Sequence, residues 1–385
     1  MKKILFLLLF VGLLNSLIFP QKGLKKFKVQ ELDDSTEVDC SHEYLNLGII
    51  GFGNSEYFNG IRFNFSDCGI KEINGINITF WKPGRNPNSE VNGISLGAAP
   101  HASYLRGINI GIAGVVANKE MSGLNIGGLG VVSNGVARWI NIGGLGVVSN
   151  GSLEGLSIGT LGVVSNGDSY GLTFGGLGSV TNGSSYGINI GGLGSVTNGS
   201  SFGINIGGLG AVTNGEFQGI SIGGLAVVTN GEQTGITFGG IATVSNHDMT
   251  GINMGGIAVV SNGNITGLNI GGVAVVSSGD ILGLSTAIGA IFSKGSIQGV
   301  TITGYKTDAD EFSGLNIAAG WTEVNNFTGV SISGYNRITE VQTGLSIGLF
   351  NSATELHGVQ IGLINIAKNN SGIAKVLPFF NFHFD

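Results

Sequence analysis

GLTFGGLGSVTNGSSY, GINIGGLGSVTNGSSF and GINIGGLGAVTNGEFQ follow one another from Gly171 to Gln218, and Gly219 opens the next unit. We number the positions of each unit from 1 to 16, so that Gly203 occupies repeat position 1. A fixed short period with the same residue types in the same positions is typical of repeat architectures, in which stacked units share one core. Related units start at Tyr44 and continue to Gly372, with irregular spacing at both ends.

The first half of the unit has the pattern of a β-strand. Large apolar residues occupy repeat positions 2 and 4, as in Ile204 and Ile206, and Asn, Ser or Thr stands between them. This alternation predicts a strand. The next large apolar residue is at position 7, which breaks the alternation after Gly207 and Gly208. A bend at this glycine pair would bring positions 2, 4 and 7 to one side, and we expect each coil to bury about four large apolar side chains.

The second half of the unit ends in a turn. Asn214 and Gly215 occupy positions 12 and 13, and Asn-Gly is a strong turn signal because both residues tolerate positive φ. All ten charged residues between Gly107 and Gly299 fall at positions 12–16. Like positions stack on one another in a coil, so columns of like charge are unfavourable, whereas Asn and Thr columns can form ladders.

The pattern therefore predicts an all-β fold, a β-solenoid of about twenty coils of 14–16 residues stacked about 4.8 Å apart. The alternative is a transmembrane β-barrel of about 22 strands, one strand per unit. Uncharged strand positions favour the barrel, and so does the alternation of Phe380, Phe382 and Phe384 near the end of the sequence.

The segments outside the repeats have their own compositions. Lys2 and Lys3 precede a short apolar run, which predicts a signal peptide at residues 1–20. Residues 21–43 are highly charged and are interpreted as a linker or cap, residues 44–371 as the β-repeat domain, and residues 372–385 as a C-terminal aromatic cap strand. In an exported protein Cys40 and Cys68 are candidates for a disulfide, and two unpaired thiols are the alternative.

Composition excludes several functional classes. Charged residues make up 11% of the 385 residues and the net charge is -6, which argues against a nucleic-acid partner. The recurring Gly-Gly-Leu-Gly is not followed by a predicted helix, as a nucleotide site requires. The histidines are scattered over different units, and no catalytic constellation can be assembled. We therefore expect no enzyme activity, no cofactor and no metal site.

The late units GLSIGLFNSATELH, from Gly344, and GVQIGLINIAKNNS, from Gly358, resemble a family of bacterial exported surface-repeat proteins. The units of that family have Gly, an apolar residue, Gln, Ile, Gly, Leu, an apolar residue and Asn in this order. The resemblance implies an exported protein at the cell surface or outer membrane, and it supplies no catalytic residues.

These observations predict an exported, non-enzymatic surface repeat protein that acts as a structural scaffold or an adhesin-like binding rod. Its partner would be a surface ligand or a host or cell-envelope component that the sequence does not identify, and membrane association is compatible with the uncharged strands. The alternative function, linked to the barrel, is an outer-membrane pore.

Overall fold

The computed structural model describes residues 40, 43–81, 83–84 and 86–384. The predicted signal peptide at 1–20 and nearly all of the linker at 21–43 lie outside the described residues. Within the described part, the central coils alternate a strand of seven residues with a strand of four. A bend at the glycine pair leads from the long strand to the short one, and the Asn-Gly segment leads to the next long strand.

The strands of the N-terminal half are β1 Tyr44–Asn46, β2 Ile50–Gly53, β3 Tyr57–Asn64, β4 Glu72–Thr79, β5 Glu90–Gly97, β6 His101–Gly111, β7 Gly114–Gly127, β8 Gly130–Ser133, β9 Val136–Gly143, β10 Gly146–Ser149, β11 Leu153–Gly159, β12 Gly162–Ser165, β13 Ser169–Gly175, β14 Gly178–Thr181, β15 Ser185–Gly191 and β16 Gly194–Thr197. Those of the C-terminal half are β17 Ser201–Gly207, β18 Gly210–Thr213, β19 Phe217–Gly223, β20 Ala226–Thr229, β21 Gln233–Gly239, β22 Ala242–Ser245, β23 Met249–Gly255, β24 Ala258–Ser261, β25 Ile265–Gly271, β26 Ala274–Ser277, β27 Ile281–Ala287, β28 Ala290–Ser293, β29 Ser296–Thr303, β30 Lys306–Ile338, β31 Val341–Ile347, β32 Phe350–Ala353, β33 Glu355–Ala367 and β34 Val376–His383. A short 3-10 helix, Gly372–Lys375, precedes β34.

Each central strand pairs in parallel with the strand two places away in the chain. Asn189 in β15, for example, lies between Thr173 in β13 and Asn205 in β17, so residues sixteen apart are neighbours. The result is a β-solenoid of about 19 turns, which confirms the predicted fold class. The alternative architecture, a barrel with one strand per unit, is wrong, because equivalent positions stack from turn to turn instead of consecutive strands pairing side by side.

The interior of a coil is formed by odd-numbered repeat positions. In the coil that starts at Gly203, the buried side chains are those of Asn205, Ala211, Thr213 and Phe217, at positions 3, 9, 11 and 15. Val212 at position 10 is also buried in this coil, although the equivalent valine of most other central coils is half-buried on the outer side.

The expected placement of the large apolar residues at positions 2 and 4 is wrong. Ile204 and Ile206 point outward and are half-exposed, and Leu209 at position 7 is 50% exposed. The bend at the glycine pair does bring these three positions to one side of the chain, but that side is the outside. Position 15, which the sequence pattern assigns to the turn, supplies core residues such as Leu153 and Phe217 instead.

Hydrogen-bond ladders satisfy many of the buried amides at position 3. The Asn109 Nδ2 donates to Asn125 Oδ1 at 2.8 Å, and the Asn125 Nδ2 donates to Asn141 Oδ1 at 2.9 Å. A second ladder runs along the turn, where Asn214 Nδ2 donates to Asn198 Oδ1 at 2.7 Å. These contacts confirm the expectation that amide columns can form ladders: Asn125 and Asn198 each donate to one neighbour and accept from the other.

The apolar core is divided into two clusters. One contains buried residues between Phe58 and Val163, and the other contains buried residues between Met249 and Ala353. In the first of the intervening turns, serines replace large residues at positions 9 and 15; they are Ser169, Ser179, Ser185, Ser195 and Ser201. Phe217 and Val227 are buried further along the chain. Four buried atoms of these turns have no hydrogen-bond partner in the described chain: Asn189 Nδ2, Ser195 Oγ, Thr197 Oγ1 and Asn205 Oδ1.

Repeat position 1 requires a left-handed backbone. Gly123 has a φ of +117° and Gly155 a φ of +105°, whereas Trp139, which lies between them in the stack, has a φ of +74°. A residue with a Cβ atom is strained there, because the Cβ crowds the backbone oxygen atoms. Trp139 is 69% exposed, so little packing compensates for this strain.

Replacing Trp139 by glycine is therefore expected to stabilise the protein by about 1 kcal/mol, through relief of the left-handed strain. The measurement is the shift of the urea midpoint. Trp139→Ala is the matched control, because it removes the ring but keeps the Cβ and the strain. Equal midpoints for the glycine and alanine variants would contradict this account.

A buried ion pair closes the N-terminal end of the interior. Arg62 occupies position 3 and is 0% exposed, and its guanidinium donates to the carboxylate of Asp67 and to Asn77 Oδ1. The Asp67 carboxylate also accepts from Asn77 Nδ2 at 2.8 Å and from Thr79 Oγ1 at 2.6 Å. Burial lowers the pKa of Arg62 from its ordinary value, and the neighbouring Asp67 opposes this effect. The pair is thus stable only as a fully hydrogen-bonded unit.

Both ends of the stack finish in antiparallel strands. At the N-terminal end β1 pairs with β2, and Cys40 is joined to Cys68 by a disulfide across a sequence separation of 28. At the C-terminal end β34 pairs with β33 and contains Pro378, which has no N–H to offer to a further strand. These features limit pairing of the terminal edges with other chains.

Candidate functional surface

The outer face of the long strands is apolar along the whole stack. Positions 2 and 4 form two columns that begin at Ile50 and Phe52 in β2 and end at Phe382 and Phe380 in β34. Thr286 is the only polar side chain in either column. The side chains of such a column shield one another along the stack, and many are still about two-fifths exposed, as Ile110 is at 38%. These two columns are the main part of what we call the apolar surface.

The apolar surface continues around the bend. Position 7 forms a column at the bend, in which Leu177, Leu193 and Leu209 are each about half exposed. On the opposite face, position 10 contributes a column of half-buried valines that includes Val148 and Val164. Between Val116 and Phe292 the surface therefore includes positions 2, 4, 7 and 10 and covers both faces and one edge of the coil. In the next coils the short-strand face carries the ion pairs of Lys306 with Asp308 and Glu323.

The edge opposite the bend is polar, and we call it the polar edge. It consists of positions 12–14 and contains the exposed asparagine ladder that passes through Asn198 and Asn214. The ten charged side chains between Gly107 and Gly299 lie at this edge or next to it, and three are basic and seven acidic, a net charge of -4. The outer surface of the coils between Gly107 and Gly299 is thus divided lengthwise into a polar strip and a larger apolar region.

Position 16 lies between the polar edge and the apolar surface. Tyr170, Tyr186 and Phe202 stack there with ring centroids 5.0 and 5.2 Å apart. The Tyr170 hydroxyl donates to Asp168 Oδ2 at 3.2 Å. Partial desolvation is the main cause that raises the pKa of this phenol, and the nearby Asp168 carboxylate raises it further. Tyrosine therefore directs its polar end toward the polar edge while its ring adjoins the apolar columns.

Elsewhere position 16 carries arginine. Arg138 donates to Glu154 Oε2 and to Glu120 Oε1, both at 2.8 Å, and Arg106 pairs with Glu90. The hydrogen bond to Glu154 is the largest of the effects that raise the pKa of Arg138 from its ordinary value. These side chains are partly exposed, so the pairs contribute little to stability and mainly neutralise charge at the boundary.

The backbone of the bend is hydrogen-bonded to the preceding turn. The N–H groups of Gly208, Leu209 and Gly210 donate to carbonyl oxygens at 3.1, 2.7 and 3.2 Å. Gly207 is the last residue of β17, and a Cβ atom at Gly207 or Gly208 would lie 1.8 Å from a backbone oxygen. The glycine pair is required here for space and not for a left-handed φ.

The Asn-Gly segment also has a different physical basis from the one expected. Asn214 and Gly215 do form the turn, but neither has the positive φ that motivates this assignment. Asn214 belongs to the amide ladder, and a Cβ atom at Gly215 would lie 2.7 Å from Ser200 Oγ and 2.8 Å from the backbone of Gly199. The close stacking of equivalent turns therefore explains why asparagine and glycine occupy these two positions.

The described residues contain no group of three or more His, Cys, Asp or Glu side chains arranged to hold a metal ion. None of the helical structure in the described residues has the length and hydropathy needed to cross a membrane.

The sequence contained a signal for the outward columns. In a strand one of the two alternating sets must face outward, and none of the ten charges between Gly107 and Gly299 falls at positions 1–11. An uncharged outer face was therefore implied, even though the usual preference for apolar interiors assigned the apolar set to the wrong side.

Comparison with known proteins adds no relative from which a function could be transferred, since a scan of protein-family models, a search of curated proteins and a search of solved structures each found no match.

Proposed function

We propose that this protein is an exported, non-enzymatic repeat protein that acts as a structural scaffold or binding rod at the cell surface or outer membrane. The observation that supports this proposal best is the repetition of the same outward side chains over the length of the stack. Such columns provide an extended surface for many weak, equivalent contacts, as in other solenoids. A pore is not proposed, because that alternative depended on a barrel.

Two further observations support export. The N-terminal sequence has the charged and apolar regions of a signal peptide, and the disulfide between Cys40 and Cys68 is of a kind that persists in oxidising compartments. The resemblance of the late units to exported surface-repeat proteins agrees with this location and remains a prediction.

Cell fractionation combined with protease treatment of intact cells tests the proposal. We expect an epitope-tagged chain in the envelope fraction, cleavage by protease added outside the cells, and blocked Cys40 and Cys68 thiols before reduction. A cytoplasmic protein of this cell serves as the lysis control. Recovery of the chain in the cytoplasm with two alkylatable thiols would refute export.

A further inference from the structure

We propose that the apolar surface of this protein is immersed in one leaflet of a lipid bilayer, while the polar edge remains in water. The proposal rests on the surface location proposed above and specifies its partner. In the coils between Gly107 and Ser293 it places repeat positions 2, 4, 7 and 10 against acyl chains and positions 12–14 outside the hydrocarbon. Position 16 lies at the level where the two environments meet.

The extent of the apolar surface supports this assignment. The outer face of the long strands is about 100 Å long at about 4.8 Å per strand and about 15 Å wide, roughly 1,500 Å². This is several times the apolar patch of about 300–600 Å² that ordinary soluble monomers expose. A surface of this size requires a partner that covers it.

The distribution of the apolar residues distinguishes lipid from a second copy of the chain. A second copy packed on positions 2 and 4 would cover one face and leave Leu193 and Leu209 at the bend, and the valines of the opposite face, in water. Acyl chains can cover both faces and the bend at once. The wrapping of the apolar surface around the coil therefore favours lipid.

The dimensions of the coil also fit a leaflet. The long strand spans about 16 Å from position 16 to position 5 at about 3.3 Å per residue. Half of a hydrocarbon core of about 30 Å is about 15 Å. A coil that enters with its bend first would therefore reach the middle of the bilayer when position 16 is at the headgroups.

The backbone at the bend is suited to hydrocarbon. An unpaired N–H group is costly in lipid, because no water is available to accept its hydrogen bond. The N–H groups of Gly208, Leu209 and Gly210 all donate to the preceding turn. The parallel ladder thus satisfies the donors of the part of the coil that would lie deepest.

The residues at the boundary have the character of an interface. Tyr170 and Tyr186 have rings beside the apolar columns, and Tyr170 directs its hydroxyl to Asp168. Tyrosine is enriched where membrane proteins cross from hydrocarbon to water. The net charge of -4 at and beside the polar edge opposes anionic headgroups, so we expect a preference for zwitterionic lipid.

Vesicle flotation of the purified, disulfide-bonded protein, added from detergent that is then removed, tests the proposal. The wild-type protein is expected to float with phosphatidylcholine vesicles and to bind less to vesicles that also contain phosphatidylglycerol. Replacing Leu177, Leu209 and Ile241 by lysine places three charges on the position 7 column and is expected to reduce the bound fraction at least about tenfold.

The matched control adds the same charge at position 16, through Gln218→Lys, Thr250→Lys and Gln298→Lys. These three side chains are exposed, and this variant is expected to float like the wild type. Circular dichroism and melting identify any variant that has lost its fold. Equal loss of flotation in two folded lysine variants would contradict insertion at the bend and indicate a general charge effect.

A second measurement does not depend on these variants. In a Trp81→Phe, Trp321→Phe background, Trp139 is the remaining tryptophan. This residue is 69% exposed, and it directly precedes Ile140 of the position 2 column. Lipids brominated on the acyl chains are expected to quench its fluorescence. Absence of both quenching and flotation, together with a stable dimer in sedimentation, would overturn the proposal in favour of a second copy. That result would leave export intact, because fractionation in cells tests it separately.

Discussion

Valine at both Gly207 and Gly208 is expected to prevent the protein from folding. The Cβ atom of either residue would lie 1.8 Å from a backbone oxygen, of Gly210 in the same bend or of Gly192 in the preceding turn. Neither oxygen belongs to a flexible side chain that could move away. The bend would have to open, and the ladder donors at Gly208 and Leu209 would lose their acceptors. We expect a loss above about 4 kcal/mol, seen as insoluble protein or as absence of a β-sheet circular dichroism signal.

Gly210→Ala is the matched control for this experiment. It lies in the same bend, but a Cβ atom there would have Ala226 O as its nearest contact at 3.8 Å. Other turns already have alanine at this position, as in Ala226 and Ala242. We expect a change in stability within about 0.5 kcal/mol. A folded double valine variant with wild-type melting would refute the tight bend.

Replacing Asp67 by asparagine is expected to destabilise the N-terminal turns by about 3–5 kcal/mol, because it leaves the buried Arg62 charge without a counter-ion. The pair is buried, with side-chain exposures of 1% for Arg62 and 3% for Asp67. The asparagine side chain has one oxygen atom instead of two, so it offers Asn77 and Thr79 a single acceptor atom. The measurement is hydrogen exchange of β3 and β4, followed as a function of urea concentration.

The double variant Arg62→Met, Asp67→Asn separates the cost of an unpaired charge from that of lost packing. It removes both charges and keeps an amide that can bond to Asn77 and Thr79. We expect it to recover most of the stability lost in Asp67→Asn. If the single and double variants protected β3 and β4 equally, the ion pair would have no special role.

The sequence was sufficient to predict the coil and its period, because a few repeat positions have a strict residue requirement. The glycine pair at Gly207 and Gly208 marks the bend because a Cβ atom at either residue would lie 1.8 Å from a backbone oxygen. The shift of apolar phase across the pair indicates the change of direction. The ladder through Asn198 and Asn214 also follows from the period, because residues sixteen apart become neighbours.

Which side of the coil faces inward could not be predicted from alternation. Asn205 and Ile206 are adjacent in the sequence, and a pattern of period 2 states only that they point to opposite sides. Burial of the isoleucine is the ordinary outcome in water. Here stacking gives the buried amides hydrogen-bond partners from neighbouring turns, as in Asn109 and Asn125, so the usual cost of a polar interior is reduced.

The sequence pattern did not identify position 15 as part of the core, because the residue type at this position varies from coil to coil. Leu153, Ser185 and Phe217 occupy the same place in successive or nearby turns and are all buried. No repeated residue type marks this position as core, and its neighbours at positions 12–14 have turn composition. In the coil of Phe217 position 9 is the small Ala211, whereas in the coil of Ser185 positions 9 and 15 are both serine.

The division of the apolar core into two clusters has a consequence for cooperativity. In a solenoid each turn contacts only its neighbours, so the stability of the stack is a sum of local contributions. The turns between Ser169 and Ser201 gain little from apolar burial and are held mainly by their backbone ladders. They form a weak region of the stack, and we expect the two halves to unfold as distinct units, each with its own capped end.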